Sequence, residues 1–171
     1  APMCDSQSIT GLGIEAALHQ HLAKVEGGLD ILDIRCPGIS GLLAVVIKLR
    51  PRVEGQAKTA LMAALSSPYL HPKFAIAVDD DIDAADLRQV FWSMTTRVHA
   101  ERDVVRIPNT RIWPLDNVSD IVSGMSANYR IGTKMIIDAT KPAVTQAQER
   151  ARFDRAMPKN YDSVDLEEFL P

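Results

Sequence analysis

Four aspartates crowd the positions from Asp79 to Asp83, directly after the apolar run Phe74-Ala75-Ile76-Ala77-Val78. Carboxylates this close could share a hard divalent cation, or divide a nucleophile's and an acid's work between them. They could also cap a helix and pair with basic neighbours such as Arg88 or Arg97. A second candidate is Gly132-Thr133-Lys134, ahead of the short apolar stretch Met135-Ile136-Ile137. A lysine in a tight, hydroxyl-bearing turn holds a phosphate as a point charge flanked by backbone amides; a plain surface lysine is the alternative. The remaining candidates lack partners. Ser40 is followed by a strand rather than preceded by one, the wrong order for a nucleophile elbow. Cys36 has only Arg35 beside it, and His71 and His99 stand alone. His19 and His21, at i and i+2, point to different faces of a helix and cannot jointly hold a metal.

The elements that must position these groups alternate in period. Ile14, Ala17, Leu18, Leu22 and Val25 mark a helix that Gly27-Gly28 ends. Leu29–Ile34 is a short strand closed by Cys36-Pro37-Gly38, and Leu42–Leu49 is a buried strand stopped by Arg50-Pro51. Gly55–Leu65 follows as a helix with an inner face of Ala57, Ala60, Leu61, Ala64 and Leu65. After the 74–78 strand, Leu87, Val90, Phe91, Met94 and Val98 make one helical stripe, with Asp83 at its N-cap and Asp86 bonding back. Asp103–Ile107 is a further strand, ended by Pro108-Asn109. From Leu42 to Ile107 the order strand, helix, strand, helix, strand predicts an α/β fold. It would be a Rossmann-like, doubly wound, mainly parallel sheet with flanking helices. The Gly-rich dinucleotide fingerprint is absent from the Arg50–Gly55 segment. Trp113 to Tyr129 reads as a long irregular connection, of the kind that is functional or interfacial. Residues 1–12 read as a flexible lead-in, 13–142 as the α/β domain and 143–171 as an interfacial tail, helical to Arg155 and mixing acid with apolar groups from Tyr161.

Composition excludes several classes. A formal net charge of -3 leaves no basic footprint for nucleic acid. The longest apolar run, Leu42–Ile47, falls far short of the roughly 20 residues of a membrane span. Ala1-Pro2-Met3-Cys4 has no signal-peptide character. Cys4 and Cys36 read as reduced thiols of a cytoplasmic protein, a disulfide between them being the alternative. Asp81-Ile82-Asp83 has the Asp-x-Asp spacing of magnesium phosphatases of the haloacid dehalogenase type, but Ala84-Ala85 stands where those enzymes carry Gly-Thr.

Several segments together resemble the C-terminal domain of the UbiD family of reversible decarboxylases. They are Gly55-Gln56-Ala57-Lys58, Ala77-Val78-Asp79-Asp80-Asp81-Ile82-Asp83, Phe91-Trp92-Ser93-Met94-Thr95-Thr96-Arg97, Arg102-Asp103-Val104-Val105, Pro114-Leu115-Asp116 and Lys134-Met135-Ile136-Ile137-Asp138-Ala139-Thr140. Their order and spacing hold from about Ile14 to Pro142. The resemblance implies an enzyme that adds or removes carboxylate on aromatic or α,β-unsaturated acids. Its cofactor would be prenylated FMN with a divalent metal (Mn or Mg) and K+. It implies that Lys134 is the lysine reaching the cofactor phosphate, and assigns no catalytic residue or metal ligand to this chain. The family's Glu-Arg-Glu network belongs to an N-terminal flavin-binding domain that nothing here matches. The expected partners are therefore that flavin-binding half or a companion subunit, a small carboxylic acid and further copies in a homo-oligomer. The chain by itself is expected to be inactive. A non-catalytic assembly or regulatory module of the same fold is the alternative.

Overall fold

In the computed structural model, which describes residues 5–25, 28–154 and 156, a mixed sheet is covered by helices on both faces. Helix α1 (Asp5–Leu22) buries Ile14, Leu18 and Leu22 on one stripe. It starts well before Ile14, so residues 5–12 form its first turns. Strand β1 (Ile31–Arg35) pairs antiparallel with β2 (Ala44–Leu49). A tight turn at Gly38–Ser40 joins them, and Gly41 leaves it in the left-handed region at φ 59°. Helix α2 (Gln56–Leu65) carries the chain to β3 (Phe74–Val78), which lies parallel to β2. The buried side of α2 is Ala57, Ala60, Leu61, Ala64 and Leu65, as its spacing predicts. Helices α3 (Leu87–Arg97) and α4 (Ala100–Asp103) lead to β4 (Val104–Ile112). The short β5 (Asp120–Ile121) and the long β6 (Arg130–Ala139) follow.

The sheet order is β1-β2-β3-β6-β4, with β5 paired to β6. This corrects the expected topology. The third parallel strand is β6, inserted beside β3, whereas β4 runs antiparallel at the far edge. Polarity accounts for the placement. Ile136, Ile137 and Ala139 of β6 are buried and suit a central strand, while β4 carries exposed Arg106, Asn109 and Arg111 and a proline, which suit an edge. The β4 strand does not stop at Pro108-Asn109; it passes through a register irregularity there, with Asn109 at φ 55°, and continues to Ile112. Gly132-Thr133-Lys134 is accordingly not a turn but part of β6. Gly132 sits opposite Thr110, where a Cβ would lie 2.4 Å from the Ile112 Cδ1.

Two cores result. Helices α1 and α2 pack on one face against Ile34, Val45, Ile47, Leu49, Ala75, Ala77 and Ile136. On the other, Val90 of α3 packs with Val46, Val78, Ile82 and Ala84. The inner face of α3 is Val90, Ser93 and Arg97. The expected stripe is therefore rotated: Phe91 is 65% exposed, and Leu87 also faces outward. After β6 a turn at Val144–Gln146 leads into the short helix α5 (Ala147–Ala151). The expected apolar tail from Tyr161, like Cys4, lies outside the described residues.

Candidate functional site

The aspartates emerge where β3 ends, at the carboxyl edge of the parallel strands. Asp79 is fully buried. Its carboxylate receives both terminal nitrogens of Arg150 from α5, with Nη1 3.0 Å from Oδ2 and Nη2 on Oδ1. The backbone N–H groups of Asp80 (2.8 Å) and Lys141 (3.0 Å) also donate to it. Burial leaves the Asp79 carboxyl raised, although the guanidinium pulls it down. Burial likewise lowers Arg150, but the bonds to Asp79 and the charges of Asp79, Asp80 and Asp81 outweigh it and leave the guanidinium raised. Four donors on one carboxylate favour the ionised pair at neutral pH. Asp81 accepts both terminal nitrogens of Arg97, at 2.9 and 2.6 Å, and lies 3.4 Å from Lys141 Nζ. Burial raises Asp81, but these cations outweigh it and hold the group below the usual carboxylate range. Asp80 lies between Arg150 (3.2 Å) and Arg50 (3.5 Å).

The three carboxylate oxygens come within 4.8 Å of one another, close enough to share an ion. The donor set does not fit one, because Arg50, Arg97, Lys141 and Arg150 already hold those oxygens. The same geometry removes the phosphatase reading: Asp81 is locked on Arg97, and Asp83 accepts the Ala85 N–H at 2.9 Å. The N-cap of α3 is Asp86, which accepts from Arg88 N, and not Asp83. Beside this lattice a cleft of about 460 Å³ opens between the sheet edge and the α5 segment. Lys58, Arg97, Arg102 and Lys141 line it together with Glu54, Asp103, Asp138 and Glu149. Cations and carboxylates balance, so it is a polar junction rather than an anion pocket.

Lys134 does not line that cleft. It shares the α2 face of β6 with Ile136, nearly fully buried, and its ammonium donates to Leu65 O at 2.7 Å. Burial lowers its pKa. The other candidates are structural here. Burial raises the Cys36 thiol to about 12, which leaves it protonated and unreactive. Ser40 donates to Pro37 O at 2.5 Å within its turn, and His21 Nε2 donates to Ala63 O at 3.2 Å. The backbone N–H of His99 donates to Asp103 Oδ2 at 2.9 Å.

At the opposite, amino edge of the sheet lies a second cluster that sequence reasoning left as an irregular connection. Lys73 Nζ pairs with both oxygens of Asp116, at 3.0 and 2.9 Å, and the His71 ring meets Trp113 at 4.7 Å. Beyond this buried base the connection turns apolar groups outward, with Leu115 70% and Val118 78% exposed. The signal that could have found it is Pro114-Leu115-Asp116 itself: a charge in an apolar, proline-bearing turn needs a partner.

Residues 7–139 match the family described as 3-octaprenyl-4-hydroxybenzoate carboxy-lyase C-terminal domain, UbiD_C. The chain belongs to this family. It is 32% identical to the phenolic acid decarboxylase of Bacillus subtilis (strain 168) over 149 residues, covering 86% of this chain and 30% of that protein. The UbiD-class enzyme HmfF from Pelotomaculum thermopropionicum, solved in complex with FMN, superposes with a TM-score of 0.77 at 26% identity over 96% of this chain and 34% of that one. The vanillic acid decarboxylase of Sedimentibacter hydroxybenzoicus in its closed form gives 0.75 at 27% identity, over 99% and 33%. The chain thus spans about a third of the length of these UbiD-family relatives.

Proposed function

We propose that this chain is the C-terminal domain or subunit of a UbiD-type decarboxylase or carboxylase acting on aromatic or α,β-unsaturated carboxylic acids through prenylated FMN. The observation that carries the reading is the asymmetry of coverage: nearly all of this chain, but a third of each decarboxylase, is shared. The bound flavin, with its divalent metal and K+, supplies the electron sink for loss of CO2. The metal ligands and the acid–base carboxylates belong to the flavin-binding part, and none is assigned here. This domain contributes assembly contacts in a homo-oligomer and one wall of the active site. The 113–129 connection is the surface that suits the wall, since its exposed Leu115, Val118 and Met125 can exclude water beside an aromatic ring. Lys134 contributes a contact to the flavin phosphate, a role that rests on the family resemblance of the Lys134–Thr140 segment. A cytoplasmic location is part of the proposal, consistent with the free Cys36 thiol; no helix among the described residues is long and apolar enough to cross a membrane.

The test is reconstitution. The chain alone and the chain with its flavin-binding part are assayed for CO2 release from a panel of phenolic and acrylic acids, with prenylated flavin supplied. Activity is expected only in the complete assembly. A complete assembly that retains flavin yet decarboxylates nothing favours the assembly-module alternative. For Lys134, Lys134→Met is the informative variant. It should keep or raise the thermal midpoint, because a buried charge is replaced by an apolar chain of similar length, while flavin retention falls.

A further inference from the structure

Asp116 is the hub of the 113–129 connection. Its carboxylate takes the Lys73 ammonium and, at 3.3 Å, the Val118 N–H; its carbonyl accepts Ser119 N (3.1 Å) and Ser119 Oγ (2.6 Å); its N–H donates to Trp113 O (3.1 Å). Ser119 is gripped in turn by Arg130, through its carbonyl at 3.3 Å and its hydroxyl at 3.2 Å. Lys73 is an unusually firm anchor for such a hub. Its N–H donates to Leu43 O at 2.9 Å and its carbonyl accepts Met135 N at 2.7 Å, so its backbone is stitched to the chain entering β2 and to β6. The pair joins residues 43 apart in sequence, with Asp116 buried and the Lys73 side chain 15% exposed. A buried ion pair adds little stability over apolar groups of the same volume, because desolvation offsets the attraction. What it supplies here is a tie between the turn and the start of β3.

Resting on the decarboxylase reading above, we propose that Lys73 and Asp116 are positioning residues for the reaction, fixing the 113–119 turn so that its apolar side stands at a set distance from the bound acid. Neither side chain touches the substrate. Three features of the cluster fit this role better than a role in the core. The pair lies at the base of the connection, Trp113 braces it against His71, and the groups it orients are among the most exposed apolar side chains described.

The experiment uses the complete, flavin-loaded enzyme and separates stability from kinetics. Lys73→Met and Asp116→Leu each strand a buried charge and should lower the thermal midpoint. The double variant removes both charges and should recover the midpoint and the flavin content. Its kcat/KM for an aromatic acid should nevertheless stay down by about a hundredfold, the scale of an ångström-sized misplacement, with KM raised. A double variant that recovers both midpoint and kcat/KM overturns the proposal and leaves a merely structural pair. Lys73→Arg covers the case in which the double variant does not fold. It keeps the ion pair but moves the charge, so KM should rise severalfold at an unchanged midpoint, and a wild-type KM overturns the proposal. An inactive wild-type assembly overturns the decarboxylase reading and this proposal together. An active wild type with unaffected variants overturns this proposal alone.

Discussion

The two edges of the sheet use charge in opposite ways. At the carboxyl edge, Asp79, Asp80 and Asp81 face Arg50, Arg97, Lys141 and Arg150, and each carboxylate has more than one cation or N–H upon it. That edge is where open α/β sheets usually bind ligands. Here the chain's own α5 segment packs beside a polar cleft, and the ion pairs leave none of Asp79, Asp80 and Asp81 without a cation. At the amino edge a single buried pair, Lys73–Asp116, supports a turn whose far side is apolar and exposed. Density of charged residues in the sequence therefore points to the edge where the aspartates are internally paired, while the exposed apolar side chains of the 113–129 connection lie at the other.

The strongest way to break this contrast is Arg150→Met. It leaves Asp79 buried without its guanidinium, a change expected to cost about 3–5 kcal/mol. Thermal unfolding should show a loss of many degrees, and α5 should lose amide protection. A loss no larger than that of an exposed arginine would mean that the lattice is not what closes the carboxyl edge. Next comes the amino edge. Gly132→Ala places a methyl against Ile112, an overpacking expected to cost about 1–3 kcal/mol. Because the clash is with the Ile112 Cδ1, the double variant Gly132→Ala/Ile112→Val should recover most of it. Failure to recover would move the cause to the backbone of β6. A smaller effect separates the capping aspartates: Asp86→Ala should lower the midpoint more than Asp83→Ala, since Asp86 is the residue bonded to the first turn of α3.

How much of this was legible in the sequence varies with the physics involved. The inner face of α2 could be read residue by residue, because alanine and leucine at helical spacing have no competing use. The α3 stripe was legible only at Val90 and Met94, which pack inward. Periodicity assumes that apolar groups turn inward, but the ion pair to Asp81 draws Arg97 into the interior and rotates Phe91 out. The parallel β2–β3 unit was legible; the place of β6 was not, since Gly132-Thr133-Lys134 reads locally as turn punctuation. Only the pairing with β4 shows that the position opposite Thr110 faces the Ile112 side chain. Arg150 left no local signal. It lies 71 residues from Asp79, on a short polar helix within the tail that reads as interfacial. The segments that carry the family resemblance lie within the matched range, apart from its last residue, Thr140. Their roles still had to come from geometry, and most of them are structural.

Acidification should resolve the two edges in separate windows. Burial holds the His71 imidazole below its ordinary value of 6.5. The folded state therefore resists charging it, and the stability linked to the neutral ring is present above 6.5 and lost as pH falls through the lower folded value. Asp81 also has a depressed folded value, through Arg97 and Lys141, but as a carboxylate its window opens only below about 3.9. Asp80 moves in the same direction. Hydrogen exchange followed from neutral to acidic pH should thus show the Trp113–Ser119 turn, which rests on His71, losing protection first. Asp81 and its contacts to Arg97 and Lys141 should hold until strongly acidic pH. His71→Phe keeps a ring against Trp113 without a titrating nitrogen and should abolish the upper step alone, whereas Asp81→Asn should weaken only the lower one. If both edges open together, at one pH and in both variants, they form a single cooperative unit and the division between a closed edge and a presenting edge fails.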